Sequence, residues 1–435
     1  MPSGLAQETA QTVAEKAARQ IQAGEFQAAR SLLQKAVHDH PSDAELWNLL
    51  GITETELHDE DSAKKDFEQG LRLLPDSIDL HENLGFLYYR RADYVSAKKY
   101  LQRAVELGSK KPGVLFSLAA SKLRTGNQAE AISELKSLEP ALAGNAEYWE
   151  ERGRADLTRD PAAAERSFER ALDLAPRNLT SLNGAAAAAE KQGLDEKALS
   201  YLITARSAEP DDVATLIHFG SVCIRRDLGP DAIDALGRAH RLQPANNRAL
   251  YLLARANITM ENWQQAYDLF EQFAKRIPAF AATYYALGWL DIRLNRPDDA
   301  RRQLEHCLSL APGTQDARYE LAQLELDDGH LDSAENLLRT VLQQQPEHAK
   351  ANMTMGDLMM RRGKLPEAKT YLEAAIHSDP KLAAAHYKLS MLYFRDHDTE
   401  QAEKEKTLAA DLNAEAKRAS KTQLRLVLPE AEAAQ

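Results

Sequence analysis

The stretch AATYYALGWLDIRLNRPDDARRQLEHCLSLAP, residues 281–312, decides the fold. It carries small residues at Gly288 and Ala300, a large apolar one at Leu304, a turn residue at Asn295 and a proline at its end, Pro312. Pro312 is one of seven prolines, Pro176, Pro210, Pro244, Pro278, Pro312, Pro346 and Pro380, that stand 34 residues apart without exception. A fixed period of that size is the mark of stacked supersecondary units, each too small to bury its own apolar face.

The other positions recur with the proline. Twelve residues before Pro41, Pro75 and the seven prolines comes alanine every time: Ala29, Ala63, Ala164, Ala198, Ala232, Ala266, Ala300, Ala334 and Ala368. Twenty-four before, the chain has Gly51, Ala186, Gly220, Ala254, Gly288, Ala322 and Gly356. Eight before, it has Leu33, Phe67, Phe168, Leu202, Leu236, Phe270, Leu304, Leu338 and Leu372. Small residues at one point on each of two helices let the backbones approach, and the large one fills the space beside that contact. Seventeen before lie Gly24, Gly193, Gly329 and Gly363, with Asp227 and Asn295 equivalent, residue types that take the left-handed conformation closing a helix. Proline then stops the second helix, because it lacks the N–H donor of an interior helical residue. One unit therefore reads helix, tight turn, helix, tight turn, and the chain is expected to be an all-α solenoid.

This pattern resembles the tetratricopeptide repeat family, on Tyr284, Leu287, Gly288, Ala300, Leu304 and Pro312, with Cys307 at a small or apolar place. Twelve copies are expected, from Ala10 to Ala414, the first and last degenerate. The resemblance implies a right-handed superhelix of 34-residue helix-turn-helix repeats, with first helices lining a concave groove that binds a peptide or another protein. The amino-terminal first helices lack the lysine and asparagine pair of the family's chaperone-tail clamps.

Composition bounds the function. A net charge of −12 argues against general nucleic-acid binding, which needs a positive field. No apolar run reaches the ~18 residues of a membrane span, so no membrane insertion is expected. A cytoplasmic location is expected, or an exported one where Gly4–Gln7 is the remnant of a removed signal. Cys223 and Cys307 fall in different helices of separate copies and read as small buried hydrophobes rather than a disulfide. His38 and His40 beside Pro41 lack a cysteine or acid at ligand spacing, and there is neither a phosphate loop nor a nucleophile elbow. No enzyme, metal or cofactor is predicted.

Two irregularities break the array. The fourth copy is expected to end early at Pro140, with Pro140–Asn145 forming a loop, and Pro161 shortens the turn of the fifth copy. The reading gives a tail at 1–9, an amino-terminal block at 10–140, a carboxy-terminal block at 141–414, and a capping-helix end and disordered tail at 415–435. The last second helix is expected to run on through Ala402, Leu408, Leu412 and Ala416, with Lys417, Arg418, Lys421 and Arg425 on a solvated cap and a tail from Leu426.

Function is sought on the first helices of the regular block. Tyr251, Tyr285, Tyr319, Met353 and Tyr387 share one register, 34 residues apart. One turn further come Arg255, Trp289, Gln323, Asp357 and Met391, and another turn on Thr259, Arg293, Asp327, Arg361 and Arg395. Aromatic anchors beside arginines are the residue types of binding hot spots. The candidate partner-binding residues are therefore Tyr251, Arg255, Tyr285, Trp289, Arg293, Tyr319, Met353, Arg361, Tyr387 and Arg395. Tyrosine in this register also suits packing between neighbouring repeats, and both roles stay open. The expected function is a non-catalytic scaffold for a protein or peptide; the alternative is a structural protein that self-associates or spaces components of a larger complex.

Overall fold

The structure, a computed structural model, describes residues 9–419. Expectations for residues 1–8, for the side chains of Lys417, Arg418, Lys421 and Arg425, and for the segment 426–435 lie outside the described residues. The chain forms two compact units, divided after Ala208.

The first unit holds α1 (Ala10–Gln22), α2 (Phe26–Asp39), α3 (Ala44–Glu56), α4 (Glu60–Leu73), α5 (Ile78–Arg90), α6 (Tyr94–Glu106), α7 (Pro112–Arg124), α8 (Gln128–Leu142), α9 (Ala146–Asp156), α10 (Pro161–Leu174), α11 (Leu179–Lys191) and α12 (Asp195–Ala208). The second holds α13 (Val213–Arg225), α14 (Gly229–Leu242), α15 (Asn247–Thr259), α16 (Trp263–Arg276), α17 (Ala281–Arg293), α18 (Pro297–Leu310), α19 (Gln315–Asp327), α20 (Leu331–Gln344), α21 (Ala349–Arg361), α22 (Leu365–Ser378), α23 (Ala383–Arg395) and α24 (Thr399–Ala419). Odd-numbered helices open a hairpin and even-numbered ones close it. Within each unit every helix packs on the next, the arrangement of an α-solenoid. In the first unit each opening helix also touches the next opening helix, so these helices form the inner row of the stack.

Local chemistry explains the boundaries. Asp43, Ser77, Asn145, Asn178, Asp212 and Asn246 cap opening helices, each side chain accepting from a backbone N–H of the first turn. Inside the hairpins the turn is left-handed at Gly24, Gly193, Gly329, Gly363, Asp227 and Asn295, as their types predict. The same conformation holds at His58, Ala92, Glu261 and His397, where residue type gives no signal. There the flanking helices impose a backbone that non-glycine residues adopt only at a cost.

The small-to-large contact is as expected. A Cβ on Gly288 would lie 2.7 Å from Leu304 Cγ, and one on Gly220 would lie 2.4 Å from Leu236 Cγ. The Phe168 ring is seated on two glycines, Gly153 and Gly184, where added Cβ atoms would come within 2.8 and 2.5 Å. Gly153 stands one residue away from the regular place, a displacement that accompanies the shorter α9, of 11 residues.

One sequence expectation is corrected. Pro140 does not end its helix, because α8 continues through it to Leu142. The proline lies in the last turns on an exposed face, so its missing N–H leaves a single carbonyl to be met by solvent. Pro161 starts α10 at its first position, where a missing N–H costs nothing. At the far end α24 runs well past Ala402, Leu408 and Leu412, as expected of the last second helix. Cys223 and Cys307 are buried and are not joined in a disulfide. No helix among the described residues is long and apolar enough to cross a membrane.

Candidate functional site

The tyrosine register of the second unit divides sharply by burial. Tyr251 is 0% exposed, Tyr319 6% and Tyr285 8%. The Tyr251 ring meets Phe270, Phe273 and Phe280 at centroid distances of 5.7, 5.2 and 5.7 Å. Phe280 immediately precedes the next opening helix, at the place where other copies carry a polar cap, and it gives up capping for this contact. Tyr319 packs against His348, which precedes α21, at 5.3 Å. Burial pushes the Tyr251 and Tyr319 phenols up to about 12 and the Tyr285 phenol higher still. The Tyr319 hydroxyl accepts from Gln323 Nε2 at 2.6 Å.

The neighbouring residues of the register are also used inside the stack. Trp289 is buried, edge-on to Trp263 at 5.6 Å. Met353 is half-buried against the cluster of Leu358, Met359 and Leu389. Arg255 is half-buried, and Arg361 Nη1 donates to the Leu326 carbonyl at 2.9 Å while its Nη2 lies 3.2 Å from Asp357. Arg395 repeats the arrangement one copy on, donating to the Met360 carbonyl at 3.2 Å. Each arginine thus adds a side-chain donor to a carbonyl at the end of the preceding opening helix that already accepts from the backbone N–H of Gly329 or Gly363, at a place where a cation is also favoured by the helix dipole. Arg293 differs: it is exposed, with its guanidinium 4.7 Å above the Trp289 ring. Tyr387, in the last copy, is also exposed.

Sequence reading missed a second polar register. Arg30 and Arg301 each stand eleven residues before a proline, and Glu54 and Glu325 each twenty-one before the next. Arg30 Nε meets Glu54 at 2.9 Å and Arg301 Nε meets Glu325 at 3.0 Å, so one latch recurs between closing helix and following opening helix. Counting the same offsets would have found it. At the equivalent place between α16 and α17 the arginine is replaced by Tyr267, and the acid is Asp291. Asp291 is fully buried, neither carboxylate oxygen has a hydrogen-bond partner, and Arg296 Nη1 stays 3.8 Å away. Burial, then the charge of Asp299, pushes its carboxyl up to about 6.

Tetratricopeptide repeat sequence models match residues 15–78 and 158–212, residues 248–278, and residues 292–358 and 325–392. No curated protein matches the chain. Solved structures with a similar backbone include the APC/C hetero-tetramer Cut9–Hcn1, 14% identical over 93% of this chain and 88% of that one, with a TM-score of 0.45. YrrB, described as a TPR protein with an unusual peptide-binding site, is 17% identical over 42% of this chain and 95% of its own, with a TM-score of 0.37. MamA is 24% identical over 38% of this chain and 96% of its own, with a TM-score of 0.36. With repeat models matching over more than half its length and the same small-to-large contact recurring from hairpin to hairpin, the chain belongs to the tetratricopeptide repeat family, whose arrays serve as scaffolds for protein–protein interaction.

Proposed function

We propose that this chain is a non-catalytic scaffold that holds a protein or peptide along the opening helices of its second unit, through the last turns of α17, α19, α21 and α23. The carrying observation is the exposed row Arg293, Asp327, Arg361 and Arg395, one residue per repeat, with the Arg293 guanidinium spread over an apolar floor at Trp289. A charged residue held over an aromatic offers directional bonds with little freedom left to lose on binding. Burial of Tyr251, Tyr285 and Tyr319 supports their part in the reading as the packing that spaces this row, with Arg293 and Tyr387 offering direct contact. The row carries both signs of charge, which suits a polar segment of mixed charge rather than a polyanion. A photo-crosslinking residue placed at Arg293 or Asp327 should capture a partner from source lysate, and one at Glu305, on the outer face of α18, should not. Equal capture from all three sites, or capture from Glu305 alone, would refute the reading.

A further inference from the structure

Helix α19 lays three carboxylates along one side: Asp316, Glu320 and Asp327 stand at i, i+4 and i+11, a narrow stripe of the helix surface. The next opening helix keeps its own acid engaged, since Asp357 lies 3.2 Å from Arg361 and 2.9 Å from Lys388. The α19 acids are different. Among the described residues the Glu320 and Asp327 carboxylates meet no hydrogen-bond donor and no cation at ion-pair distance, and Asp316 has only His348 Nε2, 4.0 Å away.

Glu320 is also half-buried, where Asp316 and Asp327 are exposed. Burial raises its carboxyl above the ordinary range, and the charges of Lys350 and Arg293 offset only part of that. Arg293 is occupied over the Trp289 ring, and Lys350 is exposed. On α17 the Tyr285 side chain is only 8% exposed, yet its hydroxyl has no hydrogen-bond partner among the described residues and is not sealed from solvent. Burial, then the charges of Asp316 and Glu320, raises this phenol. A phenol oxygen and two carboxylates from two helices therefore act on one place with acceptor capacity unused. Half-buried acceptors without a donor cost free energy that a cation supplying N–H groups recovers.

We propose that this place seats a cationic side chain, lysine or arginine, of the bound protein or peptide: Asp316 and Glu320 take its charge, and the Tyr285 hydroxyl accepts from one of its N–H groups. This anchor rests on the binding row at Arg293 and adds the chemistry of the residue that lies over α19. Arg293 on α17 and Lys350 on α21 flank the acidic place with positive charge, so acidic residues are favoured on either side of the basic one. The same two cations disfavour a uniformly basic segment, which would meet both of them.

The test is selection of random linear peptides on the full chain at physiological salt, followed by affinity measurement on synthetic copies. Selected peptides should share one lysine or arginine with acidic neighbours. Replacing that residue by glutamine should weaken binding at least about tenfold on the parent chain and hardly at all on Glu320→Gln, because both changes remove the same contact. This non-additivity is the decisive figure, since a chain of net charge −12 draws basic peptides to its whole surface. Tyr285→Phe should weaken binding about threefold with melting unchanged, as only an unpaired hydroxyl is lost. Glu320→Gln should melt no lower than the parent, and Glu305→Gln, on the outer face of α18, should bind as the parent does. Peptides without a shared basic residue, or a basic residue whose contribution survives Glu320→Gln, would overturn the anchor and leave the row at Arg293 standing. Selection of no peptide would overturn it as well, and crosslinking at Arg293 then decides the row by itself.

Discussion

Replacing Gly288 by leucine tests the packing rule on which every hairpin rests. The new Cβ would stand 2.7 Å from Leu304 Cγ, 2.9 Å from Leu304 Cδ2 and 3.2 Å from the Ala300 carbonyl oxygen. Carbon atoms prefer about 3.5–4.0 Å, so the first contacts are short by about 1 Å before the rest of the side chain is placed. Leu304 is itself wholly buried and has nowhere to go, and the Ala300 oxygen belongs to the backbone of α18. Overpacking of this kind costs about 1–3 kcal/mol, net of the ~1 kcal/mol gained by removing a helical glycine. Because each repeat leans chiefly on its neighbours, the loss should be local, and amide hydrogen exchange of α17 and α18 is the assay to set beside the melting curve. About 1.4 kcal/mol there corresponds to tenfold faster exchange. The decisive variant adds Leu304→Ala, which removes the clashing side chain: the pair should be less destabilised than the sum of the two single changes by about 1–2 kcal/mol. Strict additivity, or a Gly288→Leu chain that exchanges like the parent, would refute the close contact as the origin of the glycine. Gly237→Ala is the control, since its Cβ would meet only the mobile end of Arg241 at 3.5 Å, and it should gain about 0.5–1 kcal/mol.

Further outcomes follow from the same geometry. Asp291 has a native carboxyl raised to about 6, above its unfolded value near 3.8, so its charged form is penalised in the fold; that penalty is complete above pH about 6 and relieved as pH falls toward 4. Protection of α17 should therefore rise on acidification from pH 7 to 5 through this group, and Asp291→Asn should raise it at pH 7 and flatten the dependence; a variant that keeps the parent's pH profile would refute the assignment. Glu261→Gly and Ala92→Gly, at left-handed turns, should each stabilise by about 1 kcal/mol, checked by thermal melting, whereas glycine substitution at the ordinary helical Ala256 should destabilise. Tyr285→Ala with Tyr319→Ala should lower the melting temperature of the second unit steeply, since emptying a buried aromatic site costs about 3–5 kcal/mol; unchanged melting would mean these rings pack less than their burial implies.

The sequence by itself determined the hairpin. Its signals are steric and local: Gly288 against Leu304, Ala300 beside them and Pro312 at the end lie within one copy, so a fixed offset brings them together wherever the copy stands. Pro140 marks where such local reading fails, since a proline near the exposed end of a helix removes one bond without ending the helix. The left-handed turns at Ala92 and Glu261 were invisible for a related reason, because the two helices fix that conformation whatever residue occupies it. What only the tertiary structure decided is which members of one register meet solvent. Tyr251 and Tyr387 are the same residue at the same offset, yet Phe280 and the next opening helix bury the first and nothing in the described chain covers the second. Residue type sets what a side chain can do, while the neighbouring repeat sets whether it does so inside the stack or on its surface. The same holds for the carboxylates: Glu54 and Glu325 find an arginine on the preceding closing helix and Asp291 finds Tyr267, a difference of partner that turns a latch into a buried, proton-sensitive group.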